Sequence, residues 1–321
     1  MKKYVNLIIR VTVSIALLCF LFAKTDFKSM RGILTNFDPK YYILAILVLF
    51  LHQLVWAFTW KITLLEKNVN VKIKDIYRAV ITSYFFGTFL PSSLGPDVIL
   101  AFNIGKSLPK KEHAPSSLLF IRLMNVTSTF LASGIVLFFI AKTIVLKHVL
   151  VLTWILLLAI WTCLWIAVHQ KIRNIVETLS HKHKWFSLLH KIFDSFATFG
   201  ADSKVTLRVW LSGLCMAFLK VLMDYLISIS LGIRIPYLWF VALVPSVMVV
   251  SMIPISIAGL GVRESAYVGI FSNMGIQAAK SFSISLVTFT LNIWLCVIGG
   301  ILYLVHGSYV KSHIPTQEEN K

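Results

Sequence analysis

The sequence predicts an all-α fold: a polytopic helical membrane protein with about six full spans and two re-entrant helical hairpins in an inverted repeat. Three observations predict it. Of 321 residues, 58% are hydrophobic and only 14% charged, with a mean hydropathy of +0.82, whereas a soluble domain carries about 25% charged residues. Apolar runs long enough to cross a hydrocarbon core of about 30 Å recur along the chain. Finally, two apolar segments are broken by Pro, Gly, Ser and charge, at Pro91 to Asp97 and at Pro254 to Glu264. In hydrocarbon, each backbone N–H or C=O freed by such a break costs several kcal/mol unless protein or an enclosed wet cavity satisfies it. Paired helix interruptions therefore point to a substrate site.

The elements follow in order. Residues 4–23 form the first apolar run, with Arg10 snorkelling to the surface. Lys2, Lys3 and Arg10 also fit a signal peptide, yet no small-x-small cleavage site follows, so the run reads as a retained anchor. Span 41–60 ends at Trp60 and Lys61, an interfacial boundary. Residues 79–104 are the first hairpin, followed by spans 117–141 and 149–168. Within 169–208, bases mix with Ile172, Ile175, Trp185, Leu189 and Phe193, the pattern of an interfacial amphipathic helix pair on the inner leaflet. Span 209–231, hairpin 237–274, span 281–306 and a cytoplasmic tail, 311–321, complete the chain. Residues 1–321 thus read as one integral membrane domain, with repeats 41–141 and 209–306 in opposite orientations.

Charge placement decides whether the broken segments cross or turn back. With both as hairpins, the first entering from the cytoplasm and the second from outside, 20 of the 31 Lys and Arg face the cytoplasm and eight face out. Arg122, Lys220 and Arg263 remain within the membrane. If 79–104 crossed once, the seven bases between Lys171 and Arg208 and the cluster Lys106, Lys110 and Lys111 would both face outward. The hairpin reading prevails, with both termini cytoplasmic. The net charge of +18 then reflects a basic face against anionic inner-leaflet headgroups, at about 1 kcal/mol per surface base, rather than nucleic acid. Cys19, Cys163, Cys215 and Cys296 lack metal-ligand spacing, and lysines flank His181 and His183, so neither a metal nor a cofactor is expected.

The candidate site residues lie at the breaks. In the first, Gly95 caps a half-helix with Pro96 at its first position, aiming free N–H groups into the membrane interior, where they suit an anion. Ser92 and Ser93 add hydroxyls. Asp97 in that first turn reads as a helix-start carboxylate, as a partner for Arg263, or as a protonation-coupled group. In the second break, Ser256, Gly259 and Gly261 precede Arg263, a bidentate fork for phosphate or carboxylate, and Glu264. Lys220 and Asp224, four apart near the middle of their span, share a helix face and either neutralise each other or contact substrate. Arg122 either snorkels to the cytoplasmic surface or joins the site.

The stretch Phe85 to Ala101 resembles the "FFNNFLPSSIGGDVVRA" signature of the lysylphosphatidylglycerol synthase transmembrane-region family, also called flippase-like domain proteins. Ile253 to Glu264 resembles its second signature, and Trp60, Arg122 and the pair Gly299 and Gly300 fall where that family has matching residues. Pro96 replaces the second Gly of the first signature, Leu100 stands where an Arg is usual, and Ile121 precedes Arg122 where an acid is common. The resemblance implies a prokaryotic inner-membrane protein that moves, or helps move, a polar lipid between leaflets. It also implies that the soluble aminoacyl-transferase domain of larger relatives is missing, since the longest soluble stretch here is about forty residues.

The expected function is a lipid flippase or transporter for an anionic or aminoacylated phospholipid, or for a polyprenyl-linked lipid. The alternatives are a membrane glycosyl- or phosphotransferase, or an accessory subunit of a lipid-modifying enzyme. No G-x-x-x-x-G-K-[ST] motif occurs, so movement is driven by an ion gradient or by no energy source. The expected partners are membrane lipids, with self-association or a lipid-modifying enzyme left open.

Overall fold

The structure is a computed structural model that describes residues 12, 14–17, 19–21, 27–67, 69–90, 95–105, 113–141, 144–168, 199–200, 202–253, 256 and 259–306. No strand occurs among them. The helices are α1 (Phe27–Thr35), α2 (Pro39–Leu65), α3 (Ile73–Gly87), α4 (Gly95–Gly105), α5 (His113–Ile140), α6 (Ile144–Val168), α7 (Ser203–Ser230), α8 (Tyr237–Ser251), α9 (Val262–Ser272) and α10 (Ala278–His306).

Four stretches, Pro39–Leu65, Ala114–Ile140, Ser203–Ser230 and Ala278–Val305, are long and apolar enough to cross a membrane. They match the expected spans 41–60, 117–141, 209–231 and 281–306, each beginning a few residues earlier. The expected span 149–168 falls on α6, a shorter apolar stretch over its described side chains. Most of the 4–23 run, the greater part of the basic 169–208 segment and the 311–321 tail lie outside the described residues. Helix α1 was not legible as an element, because nine residues with Lys28, Ser29, Arg31 and Thr35 among them carry no span-length apolar signal.

Both broken segments are helix–break–helix. The first has arms of 15 and 11 residues (α3, α4), and the second has arms of 15 and 11 residues (α8, α9). At 1.5 Å per residue these are about 22 and 16 Å long, too short to span a core of about 30 Å singly. At the first break the backbones of Gly87 and of Gly95 and Pro96 approach so closely that no Cβ fits at either glycine. At the second, α8 and α9 pack on one another.

Apolar residues lie outside as well as in. On α2 the stripe Leu44, Leu47, Leu51, Leu54 and Phe58 is exposed while Ala45, Leu49, Trp56 and Trp60 are buried. On α6, Leu152, Trp154, Ile155, Leu158 and Trp161 are exposed, and Thr153 and Leu157 turn inward. Exposed side chains of this kind belong against lipid tails, which offer no reason to hide them.

The chain forms two compact units that draw on distant parts of the sequence. One comprises the described residues within 1–53, 78–100 and 218–307, and the other those within 54–77 and 101–217.

In the first unit α10 is the spine. Helix α9 packs along it and α1 docks on it, with Leu21, Met30 and Phe282 forming a small apolar cluster. Further along, α3 crosses where Gly299 leaves no room for a Cβ against the Ile81 carbonyl and Gly300 faces the Phe85 ring. Phe86 packs edge-on against Tyr303, with ring centroids 4.9 Å apart. The first half of α2 joins α10 through Tyr42, whose hydroxyl lies 2.5 Å from Thr290 Oγ1 and accepts from Trp294 Nε1 at 3.1 Å.

In the second unit α5 packs on α6, with Gly134 beside the Trp154 ring. Gly213 of α7 lies against Asn125 and Ser128 of α5. Trp60, fully buried, donates from Nε1 to Ser117 Oγ at 2.8 Å.

Candidate functional site

The second break builds a polar seam inside the first unit. Gly259 and Gly261 take φ values of +75° and +82°, a region that side chains other than glycine's enter at a cost. These turns let α9 start abruptly at Val262, with Arg263 N donating to Gly259 O at 3.0 Å and Ser265 N to Gly261 O at 2.9 Å. Gly261 also has no space for a Cβ, which would sit 2.7 Å from the Leu17 Cβ of the N-terminal segment.

Glu264, fully buried, folds back over this helix start. Its Oε2 accepts the Gly261 N–H at 2.6 Å, the reach-back half of a capping box. Its Oε1 accepts from Nη2 and Nε of Arg263, the latter at 3.1 Å, and from Ser285 Oγ at 3.3 Å. The Arg263 side chain is 11% exposed, with Nε also 3.3 Å from Ser285 Oγ and the guanidinium 5.0 Å from the Phe289 ring centroid. The start of α9 is thus capped by its own carboxylate, and the arginine fork is engaged by the adjacent residue.

One helical turn on, the second charged pair joins the same seam. Lys220 Nζ lies 2.8 Å from both oxygens of Asp224. Tyr267 OH donates to Asp224 Oδ2 at 2.8 Å and Thr288 Oγ1 to Oδ1 at 3.2 Å. Glu264 and Tyr267 are three apart on α9, and Ser285 and Thr288 three apart on α10, so each pair shares a helix face. The two acids that stand far apart in sequence therefore occupy neighbouring rungs between α9 and α10. Asp224 is fully buried and the Lys220 side chain 35% exposed.

The other sequence-predicted residues fall as follows. Ser256 is fully buried, and its Oγ has no hydrogen-bond partner among the described residues. Gly95 and Asp97 open α4, where Asp97 is half-buried in the first turn. Ser92 and Ser93 lie outside the described residues. Arg122 is half-buried in the second unit, its guanidinium 5.8 Å from the Trp56 ring centroid. Three members of the seam, Tyr267, Ser285 and Thr288, escaped sequence reasoning. The available signal was the run Ser281, Ser285, Thr288 at helical spacing along a mostly apolar span, all three now buried.

Span-length apolar helices, two interrupted helices and two ion pairs whose carboxylates are fully buried define the class: a multi-pass helical membrane protein with an ionic seam beside a helix break. Comparison with known families places the chain more closely. It matches the model of the lysylphosphatidylglycerol synthase TM region over residues 7–300 and belongs to that family. It is 22% identical over 329 residues to a UPF0104 membrane protein of Pyrococcus horikoshii, covering 95% of this chain and 97% of that one. No solved structure gives a significant match.

Proposed function

We propose that this chain moves a polar lipid between the leaflets of a prokaryotic inner membrane, with the headgroup held at the helix breaks and the acyl or prenyl tails left in the bilayer. The observation that carries this reading is the seam at the second break, where Arg263, Glu264, Lys220 and Asp224 lie together in a membrane-embedded unit. A charge at the centre of a span costs about 2.5–3.5 kcal/mol on insertion scales, and four of them at one helix break mark a path for charge. The equal arm lengths of the two breaks, 15 and 11 residues in each, support an inverted repeat of two re-entrant hairpins with both termini cytoplasmic. Alternating access by rocking of one repeat against the other would follow. Transport, rather than transferase chemistry, is the reading favoured here, because each carboxylate of the seam is tied to cations and hydroxyls instead of standing free as an acid or base.

The test is reconstitution into liposomes with short-chain fluorescent lipids whose outer-leaflet fraction is bleached by dithionite. The wild-type protein should carry inner-leaflet probe outward to be bleached, and Arg263→Ala and Asp97→Asn should slow it. Equal rates in protein-free, wild-type and variant vesicles would refute the proposal.

A further inference from the structure

The seam's hydrogen bonds are unevenly spent. An ionised carboxylate has about four lone-pair positions. Asp224 fills its four with two contacts from Lys220 and one each from Tyr267 and Thr288. Glu264 takes Arg263 Nε and Nη2 and Ser285 Oγ on Oε1, and the Gly261 N–H on Oε2. Both acids are fully buried.

The cations retain capacity. Lys220 has three N–H donors, two of them directed at Asp224, and its side chain is 35% exposed near the middle of a 28-residue apolar helix. Arg263 spends Nε and one Nη2 donor, and its Nη1 makes no hydrogen bond to a described residue. An incoming headgroup therefore meets charged donors before the buried carboxylates.

We infer that the Lys220 and Arg263 side of this seam is a selectivity site for headgroups rich in acceptor oxygens, phosphate or pyrophosphate on a lipid, and that it discriminates against headgroups carrying a net positive amine. This rests on the transport reading above and narrows its substrate class. Phosphate oxygens accept from the third Lys220 N–H or from Arg263 Nη1 without displacing either acid, whereas an ammonium finds both carboxylates fully buried and meets like charges first. The seam sums to zero charge when empty, so an anionic headgroup is bound by unspent donors rather than by a net positive field.

The experiment compares three probes in proteoliposomes of the full chain: fluorescent phosphatidic acid, fluorescent phosphatidylglycerol and fluorescent lysylphosphatidylglycerol. The two anionic probes should cross at least about tenfold faster than the cationic one, the factor one charge-assisted hydrogen bond supplies. Movement of all three at equal rates above protein-free vesicles leaves transport standing and overturns the selectivity. Movement of none of them overturns both. Because Lys220→Gln alone strands a buried carboxylate, the paired variant Lys220→Gln/Asp224→Asn is the decisive one. It should fold, move phosphatidic acid about tenfold more slowly, and lose the discrimination between probes. Unchanged discrimination in that variant overturns the assignment to Lys220. Inorganic phosphate and pyrophosphate, added up to millimolar concentration, separate headgroup from free anion. They should leave the thermal stability of the detergent-purified protein unchanged, while phosphatidic acid in mixed micelles raises it. The reverse order overturns a lipid as the source of the phosphate.

Discussion

Replacing Asp224 by Asn keeps the shape of the side chain and removes its charge from the middle of a helix. Lys220, 2.8 Å away on the same face, then loses its counter-ion. A lone ammonium at that depth costs about 2.5–3.5 kcal/mol on insertion scales, reduced here because a side chain 35% exposed lets part of its stem reach outward. The amide also offers one acceptor oxygen where the carboxylate offered two, so either the Tyr267 or the Thr288 hydroxyl loses its bond, at about 0.6–1.7 kcal/mol in a membrane interior. The expected loss is about 2–4 kcal/mol. The paired variant Lys220→Met/Asp224→Asn removes both charges and should return to within about 2 kcal/mol of the wild type, the lost hydroxyl bond remaining, and stay more stable than the single variant, the mark of a coupled pair. Reversible unfolding in mixed SDS micelles, followed by the fluorescence of the nine tryptophans, measures both. A single variant as stable as wild type, or a paired variant no better than the single, would refute the reasoning.

Other substitutions test the packing. Gly261→Ala should cost about 1–3 kcal/mol, since φ of +82° strains any side chain and the new Cβ meets Leu17 Cβ; because alanine keeps that Cβ, Leu17→Ala should not restore the loss in a melting experiment. Gly299→Ala pushes a methyl into the Ile81 carbonyl where α3 crosses α10 and should cost about 1–3 kcal/mol by overpacking, read as faster limited proteolysis. Trp60→Phe removes the donor to Ser117 and part of a fully buried ring. Because Ser117 keeps its bond to Ala114 O, the expected loss is only about 1–3 kcal/mol in the same unfolding assay.

Much of the architecture was legible because a bilayer imposes simple requirements. The apolar runs around 41–60, 117–141, 209–231 and 281–306 became helices that overran them at one end or both, since helices continue into interfacial residues such as Lys61 and Lys204 that a charge-free window excludes. The second broken segment, expected as a hairpin over 237–274, is the helix pair α8 and α9. The first starts at Ile73 rather than 79, because Lys74, Asp75 and Arg78 are helical without being apolar. In the site, Lys220, Asp224, Arg263 and Glu264 stood out because charge inside an apolar segment is costly. Tyr267, Ser285 and Thr288 did not, because hydroxyls in apolar helices commonly bond their own backbone, as Ser283 and Thr290 do here. Which hydroxyl reaches across to a neighbour is decided by helix rotation, and that is a property of packing. Sequence reasoning expected an open fork at Arg263; that Glu264 engages it lay beyond sequence reasoning, because the adjacent glutamate is brought round only by the turn at Gly261.

The two rungs between α9 and α10 restrict how α9 moves. Sliding α9 along its neighbour by less than a turn, about 5.4 Å, would strip Glu264 of Ser285 and Asp224 of Tyr267 at the same moment, with no intermediate register offering replacements. Small shear is therefore disfavoured, and α9 and α10 behave as a single rigid lever with Lys220 and Asp224 of α7 latched to its side. Any opening of this region is a jump between discrete positions, and its rate should fall steeply when the latch is strengthened.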